Sequence, residues 1–281
     1  MRVLQIMTAQ LLSTACTIAG SDSSGGAGLQ IDLKTFAAYG VYGLSVVTAV
    51  TAQNTRKVTG AWVQSADSVS AQITTLCEEF TVSAWKTGML GNTTVIEAVI
   101  DSLPAGTPLV LDPVIVSTSG HRLLTEEALS LLTDGLIPRA TVITPNIPEA
   151  EMLSGIAPIR SLDDMREAGS VFLSYGADSV VLKGGHLGSG DASVDLFITK
   201  NGEEAFSAPR YPYEVHGSGC CFASAIAAEL SLGRDLCEGV AGAKRFIDGA
   251  IRHAIHLPSG GAVPNPFWEW SISKRQTDSL I

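Results

Sequence analysis

Short, mostly apolar runs alternate with helix-length periodic patterns along nearly the whole chain, and this alternation limits the fold more than any other feature. ACTIAG, LSVVTAV, AWKTGML, PLVLDPVIV, TVITPN and SVVLKGG read as strands buried on both faces. Helical patterns separate them at 28–39, closed by Gly40, and at 65–80, 92–103, 125–136, 147–154 and 161–175. Such βαβ repetition predicts an α/β protein with a central, mostly parallel sheet covered by helices on both faces. From Ser193 the pattern changes: SVDLFITKNGEEAFSAP places two short strands around Asn201-Gly202, a hairpin signal. Two helices, about 219–232 and 235–254, complete the fold. No repeat, low-complexity segment or linker interrupts it. The expected organisation is one domain over 15–270, an N-terminal extension at 1–14 and a C-terminal tail at 271–281.

Composition narrows the partners. The chain has 281 residues, 46% of them hydrophobic, enough for a large core. Its net charge of −10 argues against nucleic acid or an anionic membrane, which are bound largely through Lys and Arg. No apolar run reaches the ~20 residues of a membrane span. The start, MRVLQIMTAQLLSTAC, looks superficially like a signal peptide, but only Arg2 charges it and cleavage near Cys16 would cut into ACTIAG. It reads instead as a loosely attached extension, with Met7 as another candidate start, and a cytoplasmic location is expected. Five irregularly spaced cysteines fit a reducing compartment and lack the paired spacing of a zinc site.

In sheets of this kind, ligands bind beyond the carboxyl ends of the strands. The segments found there are GSDSSGGAG, AQNT, GML, Asp112-Pro113, Asn146 and Lys183-Gly184-Gly185-His186. The glycines at 25, 26 and 28 do not form a dinucleotide fingerprint: Ile31 stands where its third glycine belongs, and the next strand ends in Ala52-Gln53 rather than an acid. No Walker A motif occurs. The loop instead lets a small substrate approach the backbone, or is a plain turn, and Asp32 follows one turn into the helix, where a solvated carboxylate is the usual outcome. Asn146 and Glu149 start a helix as cap and first-turn acid, an arrangement compatible with a Mg²⁺–phosphate role. Asp112 is either a strand end or a part of that role.

The sharpest element is EVHGSGCCFASAIAAEL at 214–230, in which two cysteines follow a glycine loop at the first turn of a helix. Orphan N–H groups and the helix dipole favour negative charge there. The backbone of 217–220 reads as a nest suited to an anion, or as a glycine-eased turn before a buried helix. A metal ligand, a redox pair and a reactive group compete as explanations. Vicinal cysteines are too strained for a favourable disulfide, and nothing marks a histidine partner for a cysteine hydrolase.

Together, TIAGSDSSGGAGLQIDLKTF, VVTAVTAQNT, KTGML, LDPVIV, TPNIPEAEML, LKGGH and HGSGC resemble the hydroxymethylpyrimidine/phosphomethylpyrimidine kinases of thiamin synthesis, in the ribokinase-like superfamily. The resemblance covers about 15–255 and implies a three-layer α/β/α sandwich. It implies ATP-dependent phosphorylation of the pyrimidine's hydroxymethyl group and then of the monophosphate, with Mg²⁺. Pyridoxal kinase is the nearest rival activity, as main or side reaction, and a non-catalytic vitamer-binding regulator is a more distant one. By the resemblance, Cys220 is the general base, assisted by the loop Gly217, Ser218 and Gly219, its thiol gaining thiolate character at the helix N-terminus. Gly20, Ala27, Asp32, Gln53, Met89 and Val116 would line the pyrimidine pocket. Gln53 would pair with a ring nitrogen and the exocyclic amine. Asp112, Asn146, Glu149 and Lys183 would handle nucleotide phosphates, with Asp112 and Glu149 on the metal. Cys221 would be a small buried helix residue. A homodimer is expected. Two departures stand out: Ser218 replaces the usual Thr, and SGGAVPNPFWEW replaces the family's Gly-His-Gly-Pro-type stretch, which leaves open how the tail borders the sites.

Overall fold

Local signals set most helix starts. In the computed structural model, which describes residues 12–115, 124–185, 187 and 191–270, α2 (Ala66–Glu79), α3 (Thr93–Ser102) and α4 (Glu126–Leu131) are capped by Ser65, Asn92 and Thr125. Asn146, Ser161 and Asp235 cap α5 (Ile147–Ser154), α6 (Leu162–Ser174) and α8 (Leu236–Arg252). Each cap oxygen accepts a backbone N–H that the helix itself cannot satisfy. Two helices lack such a cap, α1 (Gly28–Ala38) behind Ala27 and α7 (Ser218–Ser231) behind Gly217.

The apolar runs form the sheet. β1 (Thr14–Asp22), β2 (Tyr42–Asn54), β4 (Ala84–Thr87), β5 (Leu109–Leu111), β6 (Val142–Ile143) and β7 (Ser179–Leu182) are parallel neighbours. Antiparallel strands flank them: β3 (Lys57–Val63) beside β2, and the hairpin β8 (Ala192–Thr199)–β9 (Gly202–Pro209) beside β7. The order is β3-β2-β1-β4-β5-β6-β7-β8-β9. One core cluster, with Phe172, Ile73 and Ile96, fills the face under α2 to α6. Another, with Phe36, Ile226 and Val240, fills the face under α1, α7 and α8. β2 and β4 lie on opposite sides of β1, so the connections reverse direction there and open a crevice at the carboxyl ends.

The expected strands and helices are present, with differences of local cause. The run expected to continue through 108–116 leaves the sheet after Leu111, before Pro113, which has no N–H to donate. The helix expected over 125–136 is regular only to Leu131 and then loosens into a π turn over Leu132–Leu136. β3 was not anticipated because its residues are mostly exposed and show no core-facing alternation. Gln53, expected in a loop, lies within β2 beside a bulge at Ala52/Gln53, a feature that re-aims a side chain.

Phe172 is fully buried in the first cluster. Phe172→Ala should lower the unfolding free energy by about 3–5 kcal/mol. Denaturant unfolding with an unchanged slope would check this.

Candidate active site

The glycine loop before α7 and the loop after β1 touch through their backbones. Gly217 has φ +86°, and a side chain there would run into the Gly26 carbonyl oxygen. Gly28 has φ +55°, and a side chain there would strike the Gly20 carbonyl. Only glycine allows both the left-handed backbone and this close approach. The uncapped N-termini of α1 and α7 are thereby brought together. Gly28 N–H donates to Cys220 Sγ, so the first amide of one helix is spent on the thiol at the start of the other.

On one side of Cys220 lies a cationic–anionic cluster. Lys183 Nζ donates to Asp112 Oδ1 at 3.0 Å, and Thr144 Oγ1 donates to the same oxygen at 3.1 Å. Among the described residues, no donor reaches Asp112 Oδ2. Asn146 and Glu149 form a capping box, each side chain accepting the other's backbone N–H at 2.9 Å. Burial works against the charged form of Asp112, but Lys183, Lys86 and the hydrogen bonds outweigh it, so its carboxyl lies below the usual range. Glu149 moves the opposite way. Burial, helped by Asp112, pushes it up to about 7 against the pull of Lys183 and two backbone N–H groups. Lys183 Nζ lies beside Gly219, where a Cβ would be 3.2 Å away, which joins this cluster to the anion loop.

On the other side lie the residues expected around a heterocycle. Met89 reaches over Gly20, and Ala27 borders Gly217. Gln53 Nε2 is 3.2 Å from His216 Nε2, and Thr51 Oγ1 donates to Gln53 Oε1 at 3.2 Å. His216 Nε2 is also 3.6 Å from Asp22 Oδ2. Asp22 ties the loop together by accepting from Ser24 N, Ser24 Oγ and Ala27 N at 2.8–2.9 Å. Burial opposes its charge, yet His216 and these donors hold its carboxyl below the usual range. Val116 and His186 lie outside the described residues.

Two expectations need correction. Asp32 is not the solvated helix-face carboxylate that its position suggests. It is fully buried, with Oδ2 accepting from Thr17 Oγ1 at 2.6 Å and Lys86 Nζ at 2.9 Å, and Oδ1 from Ser224 Oγ at 2.6 Å. The thiol of Cys220 is not made acidic by its helix. Burial pushes it up to about 12, with Lys86 and Gly28 N–H opposing and Asp112 and Asp32 adding to the rise. A helix terminus typically contributes about 0.3–1 kcal/mol, too little against desolvation of a thiolate. Cys221 conforms to expectation, fully buried with Sγ 3.4 Å from Thr35 Oγ1.

Sequence reading gave no role to Lys86 or Asp22, although a lysine inside the apolar run AWKT demands a buried partner, and D-x-S before glycines is an Asx-turn signal. The atypical C-terminal stretch also borders the site. Val263 packs on Gly26, and His216 N donates to Ala262 O at 2.9 Å.

The family model described as phosphomethylpyrimidine kinase matches residues 22–265. A hydroxymethylpyrimidine/phosphomethylpyrimidine kinase from Haemophilus influenzae is 42% identical over 263 residues, 91% of this chain and 96% of that one. Among solved structures, an ADP complex of Bacillus subtilis pyridoxal kinase superposes with a TM-score of 0.84 at 35% identity, covering 92% of this chain and 98% of that one. A phosphomethylpyrimidine kinase from Clostridium difficile 630 does so with a TM-score of 0.73 at 41% identity, covering 85% and 99%. The chain belongs to the phosphomethylpyrimidine kinase family, and its three-layer sandwich is the ribokinase-like fold.

A thiol raised to about 12 is protonated near neutral pH and reacts slowly. Iodoacetamide at mildly alkaline pH should therefore modify the exposed Cys77 before Cys220 in the ligand-free protein, as followed by peptide mass mapping. Faster modification of Cys220 would reveal a thiolate there.

Proposed function

We propose that the protein uses ATP to phosphorylate the hydroxymethyl group of 4-amino-5-hydroxymethyl-2-methylpyrimidine, and then the monophosphate, giving the diphosphate used in thiamin biosynthesis. One observation carries the reading. The Cys220 loop stands between a side suited to phosphates, with Lys183, Asp112 and Glu149, and a side suited to a heterocycle, with Gly20, Ala27, Gln53 and Met89. Family membership agrees with it.

The roles follow from the geometry. The N–H groups of Gly217, Gly219 and Cys220 face the transferred phosphoryl group and stabilise its charge in the transition state, while Ser218 N–H closes the turn onto Val215 O at 3.3 Å. Lys183 counters phosphate charge. Asp112, whose Oδ2 has no donor among the described residues, and Glu149 would hold Mg²⁺ through carboxylate oxygens. When bound, the ion neutralises charge on those phosphates. Asn146 supports Glu149 through the capping box. Gln53 turns its amide from His216 to the ring nitrogen and exocyclic amine of the pyrimidine, while Met89 and Gly20 bracket the ring. Asp32 acts from below, by fixing α7.

Cys220 takes the acceptor hydroxyl's proton. Its ionised form is sparse near neutral pH, but a base of raised pKa accepts a proton more readily once ionised. Phosphoryl transfer needs little early deprotonation, so positioning by the loop weighs at least as heavily as the thiol. The catalytic domain spans 15–270, in a cytoplasmic homodimer. No helix among the described residues is long and apolar enough to cross a membrane. Pyridoxal is accepted as a side substrate, a reading supported by the likeness to a pyridoxal kinase.

Incubation with Mg²⁺-ATP and the pyrimidine, its monophosphate or pyridoxal, followed by mass, tests the substrate. Diphosphate from the pyrimidine and slower turnover of pyridoxal are expected; fast pyridoxal turnover without diphosphate would overturn the assignment. Cys220→Ala should keep the fold and ATP binding yet lose about 10²–10⁴-fold in turnover. Cys221→Ala should lose less than about tenfold. Wild-type turnover should also climb between about pH 7 and pH 9, because the thiolate fraction grows with pH below a raised pKa, and Cys220→Ala should not show that rise.

A further inference from the structure

Lys86 is a fully buried cation on β4, next to the site. Its Nζ carries three hydrogens and, among the described residues, donates one hydrogen bond, to Asp32 Oδ2 at 2.9 Å. Asp32 does not depend on Lys86 alone, since Thr17 and Ser224 each give it a hydrogen bond of 2.6 Å. The ammonium is thus not fully spent on its partner. Gly88 follows at the carboxyl end of β4, where a Cβ would stand 2.9 Å from Lys86 Nζ. A side chain at that point would press on the ammonium, so glycine preserves the room around this buried cation. Ser224 lies one turn after Cys220 on α7, so the network that holds Lys86 also fixes the helix bearing the thiol. Among the charged groups acting on Cys220, Lys86 is the foremost one that favours negative sulfur; Asp112 and Asp32 oppose it. In a buried, low-dielectric setting such a charge acts strongly.

We propose that Lys86 is a positioning residue acting through Cys220: its fixed positive charge beneath the anion loop supports negative charge on Cys220 Sγ. In the step it serves, the acceptor O–H bond breaks and its proton passes to Sγ. The hydroxyl's electron pair forms the new O–P bond, and the bond between the transferred phosphorus and the ADP oxygen breaks, its electrons leaving on ADP. The inference rests on Cys220 being the proton acceptor.

A purely structural ion pair can be exchanged for a neutral one without loss, and often with a gain in stability. The test is therefore Lys86→Met with Asp32→Asn, made in wild type and in Cys220→Ala, assayed with hydroxymethylpyrimidine and Mg²⁺-ATP. The doubly substituted protein should unfold near the wild-type temperature and keep both KM values within about threefold, while kcat falls about 10²-fold or more. In the Cys220→Ala background the same pair should change kcat less than about threefold, because interacting sites are not additive. Wild-type kcat in the folded double variant, or an equal loss in both backgrounds, would overturn the inference. Should the Met/Asn pair fail to fold, Lys86→Gln with Asp32→Asn keeps a hydrogen-bonded pair and carries the same readouts. Near-wild-type turnover in Cys220→Ala alone would instead remove the proton-acceptor reading, a separate result.

Discussion

Four elements of this fold meet at one carboxylate. Asp32, on α1, receives Thr17 from β1, Lys86 from β4 and Ser224 from α7. A buried charge is tolerable only when paired and hydrogen-bonded, and Asp32 has both. Removing one partner of such a pair typically costs about 3–5 kcal/mol, because the other is stranded in the interior. The net stability gained from the intact pair is small by comparison; its effect is to fix geometry. α1 and α7 each begin at a glycine-eased loop with no side-chain cap, so neither N-terminus fixes its own position. The junction one turn into α1 and nearly two turns into α7 does this for them.

How legible each part was depends on the range of the interaction that sets it. The strand–helix alternation and the hairpin at Asn201-Gly202 are local signals, and the chain follows them. The Asn146–Glu149 capping box is equally local: three residues separate the partners, and both hydrogen bonds form as the pattern implies. Asp32 was misread because its surroundings are assembled from residues 15, 54 and 192 positions away. A helix-face Asp in isolation does look solvated. Cys220 was misread for a related reason. The helix terminus is visible in the sequence, whereas the desolvation that overrides it, and the acids Asp112 and Asp32 that add to it, reach this partly exposed residue only in the folded chain. Lys86 was different, since a lysine within a wholly buried strand is itself a signal that some carboxylate must be near.

The two sides of the site also differ in how completely their polar groups are satisfied. Asp22, which frames the first loop, is saturated by short local bonds from Ser24 and Ala27, leaving a rigid edge for a planar ring. Gln53 is held more loosely, through one contact of 3.2 Å at each end of its amide, so it can exchange partners at modest cost. On the phosphate side, the charges rather than the bonds are unbalanced. Asp112 is held ionised by two lysines, while burial keeps Glu149 closer to neutral. Like-charged neighbours in a dry site cannot both ionise cheaply, and a bound cation would relieve them.

The uncapped helices bring these observations together. Six helices satisfy their first turns with a side chain from their own cap residue, as stability alone would favour. α1 and α7 do not, and their N-termini converge on the same sulfur and the same loop. A Ser or Asp cap at Ala27 or Gly217 would satisfy an N–H but occupy the space where an anion must sit, and at Gly217 it would also collide with the Gly26 backbone. Where the side-chain cap is missing, the chain gives up local stability, and Gly28 N–H and Ser218 N–H turn instead to Cys220 Sγ and Val215 O. In the proposed reaction, the loop, the thiol it carries and the buried lysine would act as one electrostatic unit, the backbone serving the phosphoryl group and the lysine the sulfur.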